Sequence, residues 1–396
     1  MAASIDEQKK KACMDIDALA EEMRGIASFI GAHPELGYQE QEAARVLVEF
    51  LVKNGIKVES GIAGMPTAFR GKYKKAAGPT IALFVEYDAL PEIGHGCGHN
   101  ISGVAAVAAG IVVAKHMTQG TIHVLGSPAE EGNVPDAGGK VRLIEKGFLD
   151  GVDAAFSTHA AGINLLKLDW LARMIIEMEF YGKGAHAAAS PDQGINALDA
   201  AVLTINGINA LRQHIKSDIR IHGYMSEGGT MINTIPDFAR LRYGMRAQSG
   251  AALDQVLERV LNCGRGGALA TGCRFEWRHT ARPYSNLTNN TPLMDAFSSN
   301  LEALGETYIK YYPVSASTDM GNVSQVVPTI HPLIGYGNPK LLGHTKEFAE
   351  ASCSAPGFRS MVLAAKSMAM TCLDLLHNSE LIESVKADFD KTRNAQ

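Results

Sequence analysis

Cys97 and His99 lie two residues apart in Gly94-His95-Gly96-Cys97-Gly98-His99-Asn100, just beyond Glu86-Tyr87-Asp88-Ala89-Leu90-Pro91. Residues two apart in extended backbone face the same way, and Gly98 lets the chain fold closely around an ion. Thiolate and imidazole both ligate zinc and similar ions. Taken alone, the pair reads equally as a buried thiol beside a hydrogen-bonded imidazole. A Cys97/His99 nucleophile pair is a third reading, but it gives the next motif no task. That motif is Ser127-Pro128-Ala129-Glu130-Glu131-Gly132. Adjacent strand-end residues point to opposite sides, so one carboxylate can bind metal while its neighbour works on the reacting atoms. A solvated acidic loop is the commoner fate of such a pair; the apolar run before it and Pro128 argue for a tucked-in loop.

Three further histidines carry the same question. His159 ends an apolar run, where a lone imidazole is usually a satisfied core group. His344 in Gly343-His344-Thr345 has the pattern of a surface-loop residue, and His186 in Gly184-Ala185-His186-Ala187 that of a hairpin turn.

The elements that must position these residues follow from periodicity. Helices are expected at 6–31 and 40–54, and strands at 57–59, 67–73 and 80–85. A small-residue helix at 102–116, a strand at 121–125, a helix at 140–146 and a strand at 153–157 follow. The alternation predicts an α/β fold with a doubly wound, mostly parallel sheet. Cys97/His99, Glu130/Glu131 and His159 then fall behind three successive strands, at the carboxyl edge where such sheets build sites. From 170 the order becomes strand 174–181, helix 196–214, strands 218–225 and 238–247, helix 251–268, strand 273–280. That βαββαβ order predicts an inserted ferredoxin-like α+β domain. A helix at 291–304, strands at 307–312 and 327–335, a long helix at 355–377 and a tail helix complete the first domain. The expected division is 1–169, 170–281 and 282–396.

The bulk composition excludes several classes. A chain of 396 residues exceeds one ordinary core. With a net charge of −5 and no long Lys/Arg run, nucleic acid is not an expected partner. The first eleven residues are polar rather than a secretory core, and no apolar run reaches the ~20 residues of a membrane span. Six scattered cysteines without framework spacing fit a reducing compartment, so a cytoplasmic location is expected. No Gly-x-Ser-x-Gly elbow or phosphate-binding Gly loop is present.

The chain resembles the aminoacylase/carboxypeptidase G superfamily of metallopeptidases, and within it the amidohydrolase branch of p-aminobenzoyl-glutamate hydrolases, auxin-conjugate hydrolases and β-alanyl-lysine dipeptidase-like proteins. The likeness runs from His33-Pro34-Glu35-Leu36-Gly37 through Asp88-Ala89-Leu90-Pro91, Cys97-Gly98-His99-Asn100, Pro128-Ala129-Glu130-Glu131-Gly132 and Gly184-Ala185-His186. It continues through Ile232-Asn233-Thr234-Ile235-Pro236 and Ser317-Thr318-Asp319-Met320-Gly321-Asn322-Val323-Ser324 to Gly343-His344.

The resemblance implies a centre of two divalent ions, zinc or manganese, on Cys97, His99, Glu131, His159 and His344, with Cys97 as the bridge. It implies Glu130 as general acid/base and Asp88 orienting the ligands from behind. The inserted domain would be a lid and homodimer contact, bringing His186 into the partner's site, with Asn233 and Arg282 binding the substrate. Glu86 departs from the pattern, standing where peptidase-type members carry a histidine ligand. The expected activity is metal-dependent hydrolysis of an amide in a small N-acyl amino acid or dipeptide. Hydrolytic deamination of an aromatic amine, and a non-catalytic binding role on the same scaffold, are the alternatives.

Overall fold

In the computed structural model, which describes residues 4–394, the Ser4 hydroxyl accepts the Glu7 N–H at 3.2 Å and caps α1 (Ile5–Ala32). Ala12, Ile16, Met23, Ala27 and Ile30 form its buried stripe. The Glu35 carboxylate accepts from Glu42 and Ala43 N–H at 3.2 and 3.0 Å, capping α2 (Gln41–Lys53) from the preceding loop. Next come β1 (Lys57–Ser60), β2 (Phe69–Lys74), β3 (Thr80–Val85), α3 (His99–His116), β4 (Thr121–Gly126), α4 (Gly139–Glu145) and β5 (Ala154–Phe156). The short strands β6 (His159–Ala161) and β7 (Leu165–Trp170) follow.

A second run of elements comprises β8 (Ala172–Tyr181), α5 (Ala197–Leu211), β9 (Arg220–Glu227), β10 (Phe238–Ala247), α6 (Gly250–Thr271) and β11 (Arg274–His279). The chain then gives α7 (Thr291–Ala303), β12 (Ile309–Ala316), α8 (Met320–Val323), β13 (Thr329–Ile330), β14 (Leu333–Gly335), α9 (Lys346–Ser352), α10 (Ala355–His377) and α11 (Ser379–Arg393). Two compact units result: Met1–Asp169 with Leu287–Gln396, and Trp170–Asn286.

In the first unit the main sheet has the order β1-β2-β4-β3-β5-β13. β3 runs parallel to β4 and β5, and β13 parallel to β5, whereas β1 and β2 form an antiparallel edge. β4 is buried throughout and β3 nearly so, as expected of strands covered on both faces. Glycines set how closely α3 lies on them. A Cβ on Gly103 would stand 2.2 Å from the Glu86 carbonyl oxygen, and one on Gly110 2.3 Å from Val124 Cγ2.

The stretch 327–335, read from sequence as one strand, is two. β13 belongs to the main sheet, but β14 joins a separate sheet of order β12-β7-β14-β6. Pro332 between them has no N–H for a ladder, and its carbonyl instead accepts from His159 N–H at 3.0 Å. β6 and β14 escaped the sequence reading because three-residue strands carry no usable period, and β7 was not expected either, whereas β12 overlaps the strand expected at 307–312.

The second unit has the antiparallel sheet β11-β8-β10-β9. Ala172, Met174, Ile176, Met178 and Phe180 alternate inward to a core shared with α5 and α6. The opposite face is charged: Glu177 pairs with Arg240, Arg242 and Arg278, and Glu179 with Arg240 and Arg278.

His123 on β4 is buried, and neither ring nitrogen has a hydrogen-bond partner. Burial, then Lys72 and Arg70, push its pKa down to about 4. The unfolded chain therefore binds the extra proton between the unfolded value near ~6.5 and that folded value, and stability falls as pH falls through this window. From pH 7 to 4.5 the wild type should lose about 2–3 kcal/mol more than His123→Phe, read from urea midpoints.

Candidate active site

Three loops behind β3, β4 and β5 meet at one edge. Gly98, at φ +71°, turns the first loop into α3, so that His99 is the helix's first residue. A Cβ on Gly98 would lie 2.5 Å from Tyr336 Oη and 2.6 Å from Ala160 Cβ. Gly98→Ala should therefore displace His99 and lower metal content, as measured by elemental analysis of the purified protein.

His99 Nδ1 donates to Asp88 Oδ1 at 2.9 Å, which aims Nε2 into the cluster; Nε2 has no hydrogen-bond partner. Asp88 Oδ2 accepts the Glu131 N–H at 3.0 Å. One buried carboxylate thus fixes both an imidazole and the neighbouring acidic loop, the arrangement by which outer groups orient metal ligands. Donor atoms of Cys97, Glu131 and His344 lie within 4.8 Å of one another, and so do those of His99, Glu130 and Glu131. His344 has φ +63° and is tied down by its N–H on the Gly96 carbonyl at 2.9 Å; its Nε2 is 3.8 Å from Glu131 Oε2. His159 stands beside this group, edge-on to His99 at a ring separation of 5.6 Å. Its Nδ1 lies 2.7 Å from the Ala160 carbonyl, so Nδ1 carries the proton and Nε2 the lone pair.

The electrostatics favour a cation. Burial and the crowding of carboxylates push Glu130 well above the usual carboxylate range; burial also raises Glu131, and burial with the Glu131 charge raises the Cys97 thiol. Burial, then the His99 charge, lower His159 to about 4, which keeps its imidazole neutral, the form that can ligate a cation. Burial alone would lower His99, but Asp88 raises it well above its ordinary value and so makes it a more basic donor. Desolvated anions with sulfur, imidazole and carboxylate donors converging, and with His99 Nε2 unpartnered, fit divalent ions of zinc or manganese type.

Several participants were not legible in the sequence. Lys140, fully buried at the start of α4, sets its ammonium against Asp319 and 2.7 Å from Glu86 Oε1. Its N–H donates to Asp319 Oδ2 at 3.0 Å. Glu86, Glu130 and Asp319 bring carboxylate oxygens within 4.8 Å of one another. Against the cost of burial, Asp319 and Glu86 keep Lys140 protonated. A buried lysine leaves no periodic trace, although Gly138-Gly139-Lys140 directly after the acidic loop was a weak signal. Glu40 is a second case. Its Oε1 accepts the N–H of Ala129 at 2.9 Å, bracing that residue at φ +58° just ahead of Glu130. Burial, then the Asp88 charge, push Glu40 up to about 8. The His33–Gly37 motif is structural: the Glu35 carbonyl accepts from Ala89 N–H at 2.8 Å and holds the first site loop.

His186, Asn233 and Arg282 belong to the second unit. His186 is exposed; its Nδ1 accepts from Ala188 and Ala189 N–H at 3.2 and 3.1 Å. The Asn233 carbonyl accepts from Ala187 N–H at 3.0 Å, so His186 and Asn233 lie on adjoining segments. Arg282 is half-buried near the end of the unit.

Residues 82–367 match peptidase family M20/M25/M40. The chain belongs to that family. It is 37% identical over 407 aligned positions to a Xaa-Arg dipeptidase of Mus musculus, covering 98% of this chain and 93% of the relative. Its fold is similar to an aminobenzoyl-glutamate utilization protein from Klebsiella pneumoniae, with a TM-score of 0.76, 20% identity, and coverage of 95% and 100% of the two chains. It also matches a dinuclear metal-binding M20 peptidase from Bacillus subtilis at a TM-score of 0.67 and 20% identity, covering 91% and 99%. As an M20 peptidase, the protein is a metal-dependent hydrolase of amide bonds. Among the described residues no helix is long and apolar enough to cross a membrane.

Proposed function

We propose that this M20 hydrolase is a dipeptidase for substrates with a basic C-terminal residue, using Cys97, His99, Glu131, His159 and His344 to hold two divalent ions and Glu130 as general acid/base. The observation that carries the reading is the division of the Glu130/Glu131 pair. Glu131 shares its donor group with Cys97 and His344, whereas Glu130 reaches both the His99 side and the Glu86/Asp319 side. The substrate class is suggested by the dipeptidase relative, whose printed activity is on Xaa-Arg.

Divalent ions, when bound, supply Lewis acidity to water and to the scissile carbonyl. Glu130, kept basic by its surroundings, is suited to take a proton from the attacking water and return it to the leaving nitrogen. Asp88 keeps His99 in its ligating tautomer. In this reading the second unit serves as a lid and homodimer contact, and exposed His186 donates to the developing oxyanion in the partner subunit. Asn233 and Arg282 bind the substrate's carbonyl and carboxylate.

The test is a panel of Xaa-Arg and Xaa-Lys dipeptides, N-acetyl amino acids and p-aminobenzoyl-glutamate, assayed on zinc- and manganese-loaded protein. Basic dipeptides should give the highest kcat/KM, with release of the free amino acid. A preference for acidic acyl-amino acids, or release of ammonia alone, would reject the substrate assignment.

A further inference from the structure

Glu40 stands at the N-cap of α2, where a polar side chain commonly accepts from the helix's own N–H groups. It makes no such bond, and Glu35 caps the helix in its place. The Glu40 side chain is fully buried, and among the described residues no cation pairs with it. Burying a carboxyl group without a cation costs free energy that a serine or threonine cap would avoid. The stability of α2 therefore does not account for a glutamate here.

What the carboxyl group holds lies beside the metal-ligand cluster. Oε1 accepts the Ala129 N–H at 2.9 Å, and Oε2 accepts from Thr67 Oγ1 at 3.0 Å. The Thr67 carbonyl in turn accepts from the buried Tyr87 Oη at 2.8 Å, and Tyr87 directly precedes Asp88. One side chain thus ties together the loops behind β3 and β4. Ala129 has φ +58°, a left-handed conformation that costs free energy in a residue with a Cβ. Such a conformation persists only where the surroundings enforce it. Here Glu40 fixes the N–H of Ala129, and the Gly138 N–H fixes its carbonyl at 2.9 Å. Gly37 makes room, since a Cβ there would stand 2.7 Å from Ala129 Cβ. Glu130 is the next residue, so the set of the Ala129 backbone decides where its carboxylate points.

We propose that Glu40 is a positioning residue for the hydrolysis: by holding Ala129 in its left-handed conformation against the Thr67–Tyr87 segment, it aims the Glu130 carboxylate at the reacting atoms. The proposal rests on Glu130 as general acid/base. Glu40 touches neither substrate nor metal in this scheme and acts only through the peptide it fixes. Misplacing an acid/base group by about 1 Å can cost ~10²-fold in rate, so a single backbone hydrogen bond here has leverage on turnover.

The test measures kcat, KM, metal content and folded fraction on the metal-loaded full chain with an Xaa-Arg dipeptide. Glu40→Ala should lower kcat at least ~10-fold, with KM within about twofold and metal content unchanged. Glu40→Gln should restore kcat to within about threefold of the wild type, because the amide can still accept from Ala129 N–H and donate to Thr67 Oγ1. Thr67→Val, which deletes one of the two contacts at constant shape, should lower kcat at least ~2-fold and serves if Glu40→Ala does not fold. In a Glu130→Gln background, Glu40→Ala should cost less than about twofold more, as expected of two residues acting as a unit. Normal turnover in Glu130→Gln alone would remove the acid/base reading itself. With Glu130→Gln inactive, any of four results would overturn the positioning role alone. These are normal kcat in Glu40→Ala (or in Thr67→Val if the former does not fold), a loss that follows folded fraction or metal content, a loss confined to KM, and a Gln variant as impaired as the Ala variant.

Discussion

Glu130→Gln should lower turnover at least ~10²-fold while leaving metal content unchanged. The amide is nearly isosteric, so the loop braced by Glu40 on Ala129 N–H and by the Gly138 N–H on the Ala129 carbonyl at 2.9 Å should keep its course. Glu131, the proposed ligand, and its N–H bond to Asp88 are untouched. What is lost is a group able to accept and return a proton. A variant with normal kcat would remove Glu130 from the chemistry. A variant that lost metal in proportion to activity would make it a ligand instead. The two readouts, initial rates and elemental analysis on one preparation, separate these outcomes.

Lys140→Met should destabilise the fold by about 3–5 kcal/mol, the usual cost of stranding one partner of a buried ion pair. The methionine fills similar volume, so a cavity is not the main effect. The loss is electrostatic: Asp319 and Glu86, both buried beside Glu130, would lose the ammonium that offsets their burial, whether they stay charged or take up a proton. The cost should shrink when Asp319→Asn is added, giving a favourable coupling between the two positions in a double-mutant cycle of chemical unfolding. Strictly additive losses would show that the Lys140–Asp319 contact contributes nothing as a pair. Gly139 makes the packing here tight, since a Cβ on it would approach the Pro128 carbonyl oxygen to 2.1 Å. The lysine and the Glu130 loop therefore move together, and the variant should lose turnover as well as stability.

The outline of the site was legible because parallel strands place their following loops at one edge. Cys97, His99, Glu130 and Glu131 do meet there, and His159 stands next to them. Periodicity located β3, α3 and β4 to within a few residues, since long buried segments carry strong patterns. The three-residue strands β6 and β14 carry none, so the sheet that holds His159 was missed. The ion cluster of Lys140, Glu86 and Asp319 was illegible for another reason. Its members lie 54 and 179 residues from Lys140 in sequence, and only the fold reveals that they neutralise one another. Glu40 reads only as the start of the helix at 40–54 and Glu35 only as part of the His33–Gly37 motif, yet they hold Ala129, just ahead of Glu130, and Ala89 in the loop that leads to Cys97.

The most direct measurement is hydrolysis of an Xaa-Arg dipeptide by protein stripped with a chelator, dialysed, and then titrated with zinc or manganese. No turnover is expected in the stripped protein, with recovery that tracks the metal taken up to a plateau at two equivalents per chain. Undiminished hydrolysis by protein shown to be metal-free would contradict it.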